Sequence, residues 1–412
     1  MRPAQCALVV LTVASLASCA RGLPRRGAEP AAGVAPGIEV LLSDSLRLVR
    51  GKRVGLITNQ SGRDRHGTST IDLLYRAPGV RLTALFGPEH GLRGVAEAGE
   101  SVSSTTDSAT GVTIYSLYGK TNTPTPEMLR DVDVLVYDIQ DVGARVYTYE
   151  WTMALAAEAA GKLGKKFIVL DRPDPIRGDR ADGNILDPRF RSFVGQYPVA
   201  LRYGLTPGEL LRYLVGTGQV TADVTVVPMR GWRRSMWWDE TRIRWVNPSP
   251  NLRSLDATLL YPGTVFFEGT NATEGRGTDK PFQLIGAEWL SDAGAIAGEM
   301  NAQALAGVHF DSTSRTIEPR GGYKFGGKTI PMIEISVTDR NVVRPVEVGV
   351  RLLRAIYVHH RAEWQWRPSI DRLAGTDALR QAVEQGTIDD LLRDWTRQAT
   401  EWQNQTRPYW IY

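Results

Sequence analysis

The chain has 412 residues and a formal net charge of +4, enough length for two domains and a large core. No basic tract or low-complexity block interrupts it, so nucleic acid is excluded as an implied partner. Its two cysteines, Cys6 and Cys19, lie at or before a cleavage site, so the processed chain has neither a disulfide nor a thiol nucleophile.

The N-terminus reads as a targeting segment. Arg2 supplies a positive start, and residues 7–16 form an apolar run too short to span a bilayer. Leu16-Ala17-Ser18-Cys19 then fits a lipobox. Residues 1–19 are therefore expected to be a lipoprotein signal peptide with Cys19 lipidated, and residues 20–37 a flexible tether. That address is the cell envelope: membrane-anchored and facing the periplasm, or the outer surface of a monoderm cell.

Beyond the tether, apolar β-rich runs alternate with helical patterns. Residues 54–58 lead into Asn59-Gln60-Ser61-Gly62, and residues 82–86 into Gly87-Pro88-Glu89-His90-Gly91. A shorter strand is expected near 114–118. Residues 132–137 lead into Asp138, Gln140 and Asp141, and residues 167–170 into Asp171-Arg172-Pro173. Residues 68–76 and 147–160 read as helices, the second Ala-rich and closed by Gly161. This β-α-β rhythm predicts an α/β, doubly wound, mostly parallel sheet over 38–205. Its polar turns should share the rim where such sheets collect ligands.

The rhythm changes at Thr206-Pro207-Gly208-Glu209, which opens a helix. Residues 206–412 are read as a smaller α+β domain completing a cleft. It should hold a strand near 224–227, a Trp-dense segment over 232–245, a helix near 288–304, a strand near 332–338 and C-terminal helices.

Some patterns are set aside. Residues 322–329 match phosphate-loop spacing, but no strand precedes them and no helix follows. The dinucleotide glycine fingerprint is missing after the first strand. The histidines show no zinc spacing, and the side chains of adjacent His359 and His360 are expected to diverge. No cofactor and no metal is expected.

What remains is a set of carboxylates, amides and arginines on Gly/Pro-rich loops. Glu89 beside His90 suits acid/base work, against a solvated structural turn. Glu150 lies in the first turn of a helix, where the dipole favours its anion; it reads equally as a base, a nucleophile or a good helix residue. Arg145 either binds a substrate carboxylate or neutralises Asp138 and Asp141. Asn59 and Gln60 offer amides suited to sugar hydroxyls, or caps. Residues 247–251 and 267–278 are long Gly/Asn/Pro loops of the functional kind. Trp232, Trp237 and Trp238 either stack on sugars or pack the interior.

Taken together, NQSG, FGPEHGLRG, YDIQDVGARVYTY, NPSPN, FEGTNATEGRGTDKPF and RPYWIY resemble the NamZ/YbbC family of exo-β-N-acetylmuramidases, from about residue 38 to the C-terminus. The resemblance implies a Rossmann-like N-terminal domain, a smaller C-terminal domain and an active site between them. It implies release of non-reducing-end N-acetylmuramic acid from peptidoglycan fragments such as MurNAc-GlcNAc. Motif by motif it points to Glu89 and His90, to Asp138, Arg145 and Glu150, and to Asn251, Glu268, Asn271 and Arg276. Asn59, Gln60 and Asp141 are carried as substrate contacts.

On this reading Glu89 is the general acid, with Glu150 or Asp138 as second carboxylate. Arg145 or Arg276 meets the lactyl carboxylate. Two departures stand out: Tyr203-Gly204-Leu205-Thr206 where the family tends to have His before the glycine, and Asp174 where Asn is frequent. Other readings are a lipid-anchored muropeptide-binding protein without hydrolytic activity, and an esterase or amidase acting on the same sugars.

Overall fold

The computed structural model describes residues 33–89, 91–92, 105–320 and 322–412. The lipobox with Cys19, most of the tether, and His90 lie outside the described residues. In chain order the first half comprises α1 (Gly37–Asp44), β1 (Arg53–Thr58), α2 (Thr70–Arg76), β2 (Arg81–Gly87), β3 (Thr105–Thr106), β4 (Thr113–Ser116), β5 (Val134–Asp138), α3 (Tyr149–Lys162), β6 (Lys166–Leu170), β7 (Asp182–Ile185), β8 (Ala200–Arg202), α4 (Pro207–Gly216) and β9 (Asp223–Val227). Seven strands make one sheet in the order β3-β4-β2-β1-β5-β6-β9. All pair in parallel except β3.

Side-chain alternation explains why the sheet is covered on both faces. From β5, Val134 and Val136 join the layer that holds Ile38 and Leu41 of α1 and Leu74 of α2. The alternate residues Leu135 and Tyr137 join the opposite layer, with α3 and α4. All five residues of β5 are buried. Most of α3, from Tyr149 to Ala160, is buried as well, as expected of an alanine-rich helix apolar around its circumference. Thr206 and Glu209 form a reciprocal capping box at the start of α4.

The expected domain break at residue 206 is corrected by β9. That strand pairs with β6, from Lys166 beside Asp223 to Leu170 beside Val227, and forms the edge of the first sheet. The helix after Thr206 is thus the crossover that returns the chain to this sheet.

The second half comprises α5 (Leu255–Thr264), β10 (Leu284–Gly286), α6 (Ala293–Ala302), β11 (Val308–Thr316), β12 (Thr329–Val337), α7 (Pro345–His359), α8 (Ile370–Ala374), α9 (Ala378–Gln385) and α10 (Ile388–Thr406). Its sheet is antiparallel, in the order β10-β12-β11. Strand β11 was not foreseen because its side chains are polar and mostly exposed, which hides the alternation that marks a half-buried strand. Helices α5 and α7 cross at Gly263 and Gly349, where a Cβ on Gly263 would stand 1.9 Å from the Pro345 carbonyl oxygen. Only glycine allows that approach.

One apolar cluster runs from α3 and α4 through α5 to α7 and α10, so both halves share a core. Among the described residues no helix is long and apolar enough to cross a membrane.

Candidate active site

The strand ends do form a charged rim, but burial divides its members sharply. Asp138, the last residue of β5, is fully buried. It receives Arg172 Nε at 2.5 Å and Nη2 at 3.0 Å, and the Thr70 hydroxyl donates to it. This ion pair ties β5 to the end of β6 and to α2. It corrects the reading of Asp138 as a catalytic carboxylate, because both of its oxygens are engaged by Arg172 and Thr70.

Arg145 is corrected too. It is fully buried and touches neither aspartate; Nη1 donates to the Asn184 and Val199 carbonyls at 2.9 Å, and Nη2 to Ala374 at 2.8 Å. Burial without a carboxylate partner pulls its pKa down to about 9. It clips the first half to the end of α8 and leaves the lactyl group to another residue.

The amides serve as braces. Asn59 Oδ1 accepts the Ser61 backbone N–H at 2.9 Å and the Ser61 hydroxyl at 2.5 Å. Gln60 Nε2 donates to the carbonyls of Asn247 and Pro248 at 2.8 and 3.1 Å, and so holds the NPSPN loop. Asn271 clamps the segment before α8: its Nδ2 donates to Glu363 O at 2.7 Å and its Oδ1 accepts Gln365 N–H at 3.0 Å. None of the three lines the cavity described next.

That cavity, of about 220 Å³, is lined by Glu89, Tyr118, Tyr147, Thr148, Ser249, Asn251, Tyr261, Glu268, Arg276 and Phe282, among others. It therefore gathers residues from the GPEHG, YTY, NPSPN and EGTNATEGRG stretches. Glu89 Oε2 accepts the Thr148 hydroxyl at 2.6 Å. The Tyr118 hydroxyl also bonds Glu89; its pKa is raised first by burial and then by the charge of Glu89. Asn251 is buried, and its Oδ1 has no partner among the described residues. Such an atom in a cavity wall calls for a ligand or water donor.

The charges at the other wall form a chain. Arg276 Nη2 lies 2.7 Å from Glu268 Oε1, an ion pair without hydrogen-bond alignment. Nη1 donates to Glu274 at 2.8 Å. The guanidinium lies 5.0 Å from the Phe282 ring centre. Lys324 holds the same loop from behind, through Phe267 O at 2.8 Å, Ala272 O at 2.6 Å and Glu274 at 3.2 Å. Lys324 comes from the discarded phosphate-loop look-alike, so that glycine-rich stretch has a bracing job. Burial raises the pKa of Glu268, opposed by Arg276.

Beneath the cavity lie Asp141 and Glu150, both buried. Asp141 Oδ2 accepts Gly143 N–H at 2.7 Å and the Tyr203 hydroxyl. Asp141 Oδ1 and both Glu150 oxygens otherwise lack a donor. A proton on Glu150 donated to Asp141 Oδ1 engages two of these three oxygens. Burial pushes Asp141 up to about 7 and Glu150 well above its ordinary range. Glu150 does not line the cavity; it sits under the turn that presents Thr148.

Both departures from the family pattern now have local explanations. Tyr203 supplies Asp141 with a hydroxyl donor. Asp174 Oδ1 accepts the Ile176 N–H at 3.0 Å, a bond an amide oxygen could accept equally, and burial pushes its pKa up to about 8.

Comparisons with known proteins give the family and the fold. The family profile described as exo-β-N-acetylmuramidase NamZ, N-terminal, matches residues 54–256, and its C-terminal counterpart matches residues 259–412. The chain belongs to this family. It is 43% identical over 382 residues to the peptidoglycan β-N-acetylmuramidase NamZ of Bacillus subtilis (strain 168), covering 92% of this chain and 91% of that protein. Two crystal structures of DUF1343 family proteins from Bacteroides fragilis share the fold. One has TM-score 0.85 and 35% identity, the other 0.72 and 28%; each comparison covers 92% of this chain and 99% of the other. The profile junction at 256–259 coincides with the start of α5, in keeping with the placement of β9.

Reasoning from sequence missed Tyr118, Thr148, Ser249, Tyr261 and Lys324 as site or supporting residues. Thr148 and Ser249 were visible inside quoted motifs, whereas nothing local marked Tyr118 or Tyr261.

The buried acids make stability pH-dependent. Asp141, Asp171 and Asp174 have pKa values raised to about 7, 7 and 8, and Glu150 is raised as well. The folded state therefore keeps protons that the unfolded chain releases near pH 4, and this contribution to stability falls as pH rises through about 8. Glu150→Gln should flatten that fall. Thermal unfolding of both proteins at pH 5 and pH 8 checks it; equal pH slopes would remove the shared proton.

Proposed function

We propose that this protein is an exo-acting glycoside hydrolase that releases N-acetylmuramic acid from the non-reducing end of peptidoglycan fragments. The observation that carries the reading, beside family membership, is the single cavity holding Glu89, Asn251, Glu268 and Arg276 within aromatic walls. Two carboxyl groups around one sugar-sized space are what glycosidic hydrolysis requires.

In this scheme Glu89 protonates the leaving oxygen, its carboxyl held by the hydroxyls of Thr148 and Tyr118. Glu268 replaces Asp138 and Glu150 as the second carboxyl in contact with substrate. Arg276 meets the lactyl carboxylate, since its planar fork suits that group and its buried Nε has no partner. Asn251 offers its unpartnered Oδ1 to an N–H or O–H of the sugar. Glu150 and Asp141 act from below, through the Thr148 turn. One observation favours the reverse assignment, with Glu268 as acid: burial raises its pKa, as a proton donor at neutral pH requires.

The two assignments separate on leaving groups. With Glu89 as acid, Glu89→Gln should lose about 10²–10⁴-fold on a MurNAc-GlcNAc disaccharide. It should keep far more rate on an activated aryl muramide, which needs little protonation. If Glu268→Gln shows that pattern instead, Glu268 is the acid.

We also infer that the mature chain is membrane-anchored through Cys19 in the cell envelope, from the lipobox-like Leu16-Ala17-Ser18-Cys19. Cys19→Ala should release the protein from membranes in a fractionation experiment. A mature N-terminus at any residue other than Cys19, read by mass spectrometry, contradicts the anchor.

A further inference from the structure

A second cavity, of about 360 Å³, lies away from the catalytic one and shares none of its lining residues. Its floor is Ser61 after β1 and Gln140 after β5; its walls are Arg63, Trp238, Arg244 and Trp245. In the strand order β2-β1-β5-β6, the chain leaves β1 towards β2 and later returns to β5 on its other side. The cavity thus sits at the topological switch point, the usual ligand crevice of a doubly wound sheet.

Its wall carries an unsatisfied acceptor and an unsatisfied donor. Gln140 is 2% exposed and Trp238 6% exposed. Gln140 Nε2 is used by the carbonyls of Asp141 and Pro173 at 2.8 and 2.7 Å. Among the described residues Gln140 Oε1 and Trp238 Nε1 have no partner. Buried polar atoms without partners are rare in a finished structure.

The charge is unbalanced as well. Arg172 also lines the cavity but is neutralised by Asp138. Asp64, the one carboxylate among the described lining residues, accepts the backbone N–H groups of His66 and Thr68 on its own loop. Arg63 donates Nε to Gln60 O and Nη1 to Gly67 O and makes no ion pair among the described residues. Arg244 is exposed and likewise makes none. The Trp238 and Trp245 rings meet edge to face at 5.3 Å, and Trp245 remains partly exposed, leaving surface on which a sugar ring can stack.

From these observations we infer that the switch-point cavity is a second binding site for a carboxylate-bearing muramyl fragment. This rests on the substrate class proposed above. The carboxylate meets Arg63 and Arg244, an amide or hydroxyl of the ligand meets Gln140 Oε1 and Trp238 N–H, and the apolar face of the ring lies on Trp245. The volume suits one sugar unit, within the range of about 300–1,000 Å³ for small-molecule sites. The segment carrying Trp245 continues into Ser249 and Asn251 of the catalytic cavity. Gln60 fixes the intervening Asn247 and Pro248. One loop therefore forms a wall of each site.

Isothermal titration of the full chain with N-acetylmuramic acid, with N-acetylmuramyl-L-alanyl-D-isoglutamine and with neutral N-acetylglucosamine tests this. The wild type should show a binding event beyond the catalytic one for at least one acidic ligand and none for the neutral sugar. Arg244→Gln should weaken that event roughly tenfold or more, as loss of a charge-assisted bond does, with kcat/KM on an aryl muramide unchanged. An effect on N-acetylmuramic acid assigns the lactyl carboxylate to the cavity; an effect confined to the peptide-bearing ligand assigns the stem carboxylate. Unchanged titrations with both acidic ligands in Arg244→Gln and Trp245→Ala overturn the inference. A protein that binds in this Arg244-dependent way yet hydrolyses no muramide would instead overturn the proposed activity alone.

Discussion

The short turn from Tyr147 to Glu150 is the constraint on which the site depends. In sequence these four residues merely start a helix. In the fold Tyr147 walls the cavity, Thr148 fixes Glu89, the Tyr149 hydroxyl holds the Pro248 carbonyl at 2.8 Å, and Glu150 lies beside Asp141, burial raising the pKa of both. The turn can do this because β5 before it is buried throughout and the start of α3 after it is buried too, so the main chain between them has little freedom. Glu89, just past the end of β2, gains its orientation from this rigid turn.

A pattern follows for the other charges. Acids and arginines deep in the rim satisfy one another or the backbone, as Asp138 with Arg172 and Arg145 with three carbonyls do. Removing one member of such a buried pair typically costs about 3–5 kcal/mol, because its partner is left unpaired. Those residues hold the walls in place. Groups left with spare valence, Asn251 and Arg276 in one cavity and Gln140 and Trp238 in the other, are the ones with capacity for a ligand.

The fold was legible because it is written locally. The runs 54–58, 82–86, 132–137 and 167–170 are continuous, apolar and β-branched, and each became a parallel strand. Strand β9 was seen but placed in the wrong half, since pairing with β6 is a long-range fact. The site was legible only as a set of motifs. Glu89, Asn251, Glu268 and Arg276 do converge, yet nothing in DIQDVGAR announces that Asp138 meets an arginine 34 positions later, or that Arg145 reaches a carbonyl 229 positions away. The same residue types look alike in sequence whether their partner is a substrate or the protein itself. Histidine shows the limit from another side: the adjacent His359 and His360, expected to diverge, both bond Asp292, at 2.7 and 2.5 Å.

Incubation of the protein with defined MurNAc-GlcNAc disaccharide, followed by mass-spectrometric identification of the products, tests the central claim most directly. Free N-acetylmuramic acid and N-acetylglucosamine in equal amounts, with a longer glycan shortened only from its non-reducing end, is the result this account predicts. Intact disaccharide recovered from saturable binding, or a glycosidic bond left whole while an ester or amide is cut, would contradict it.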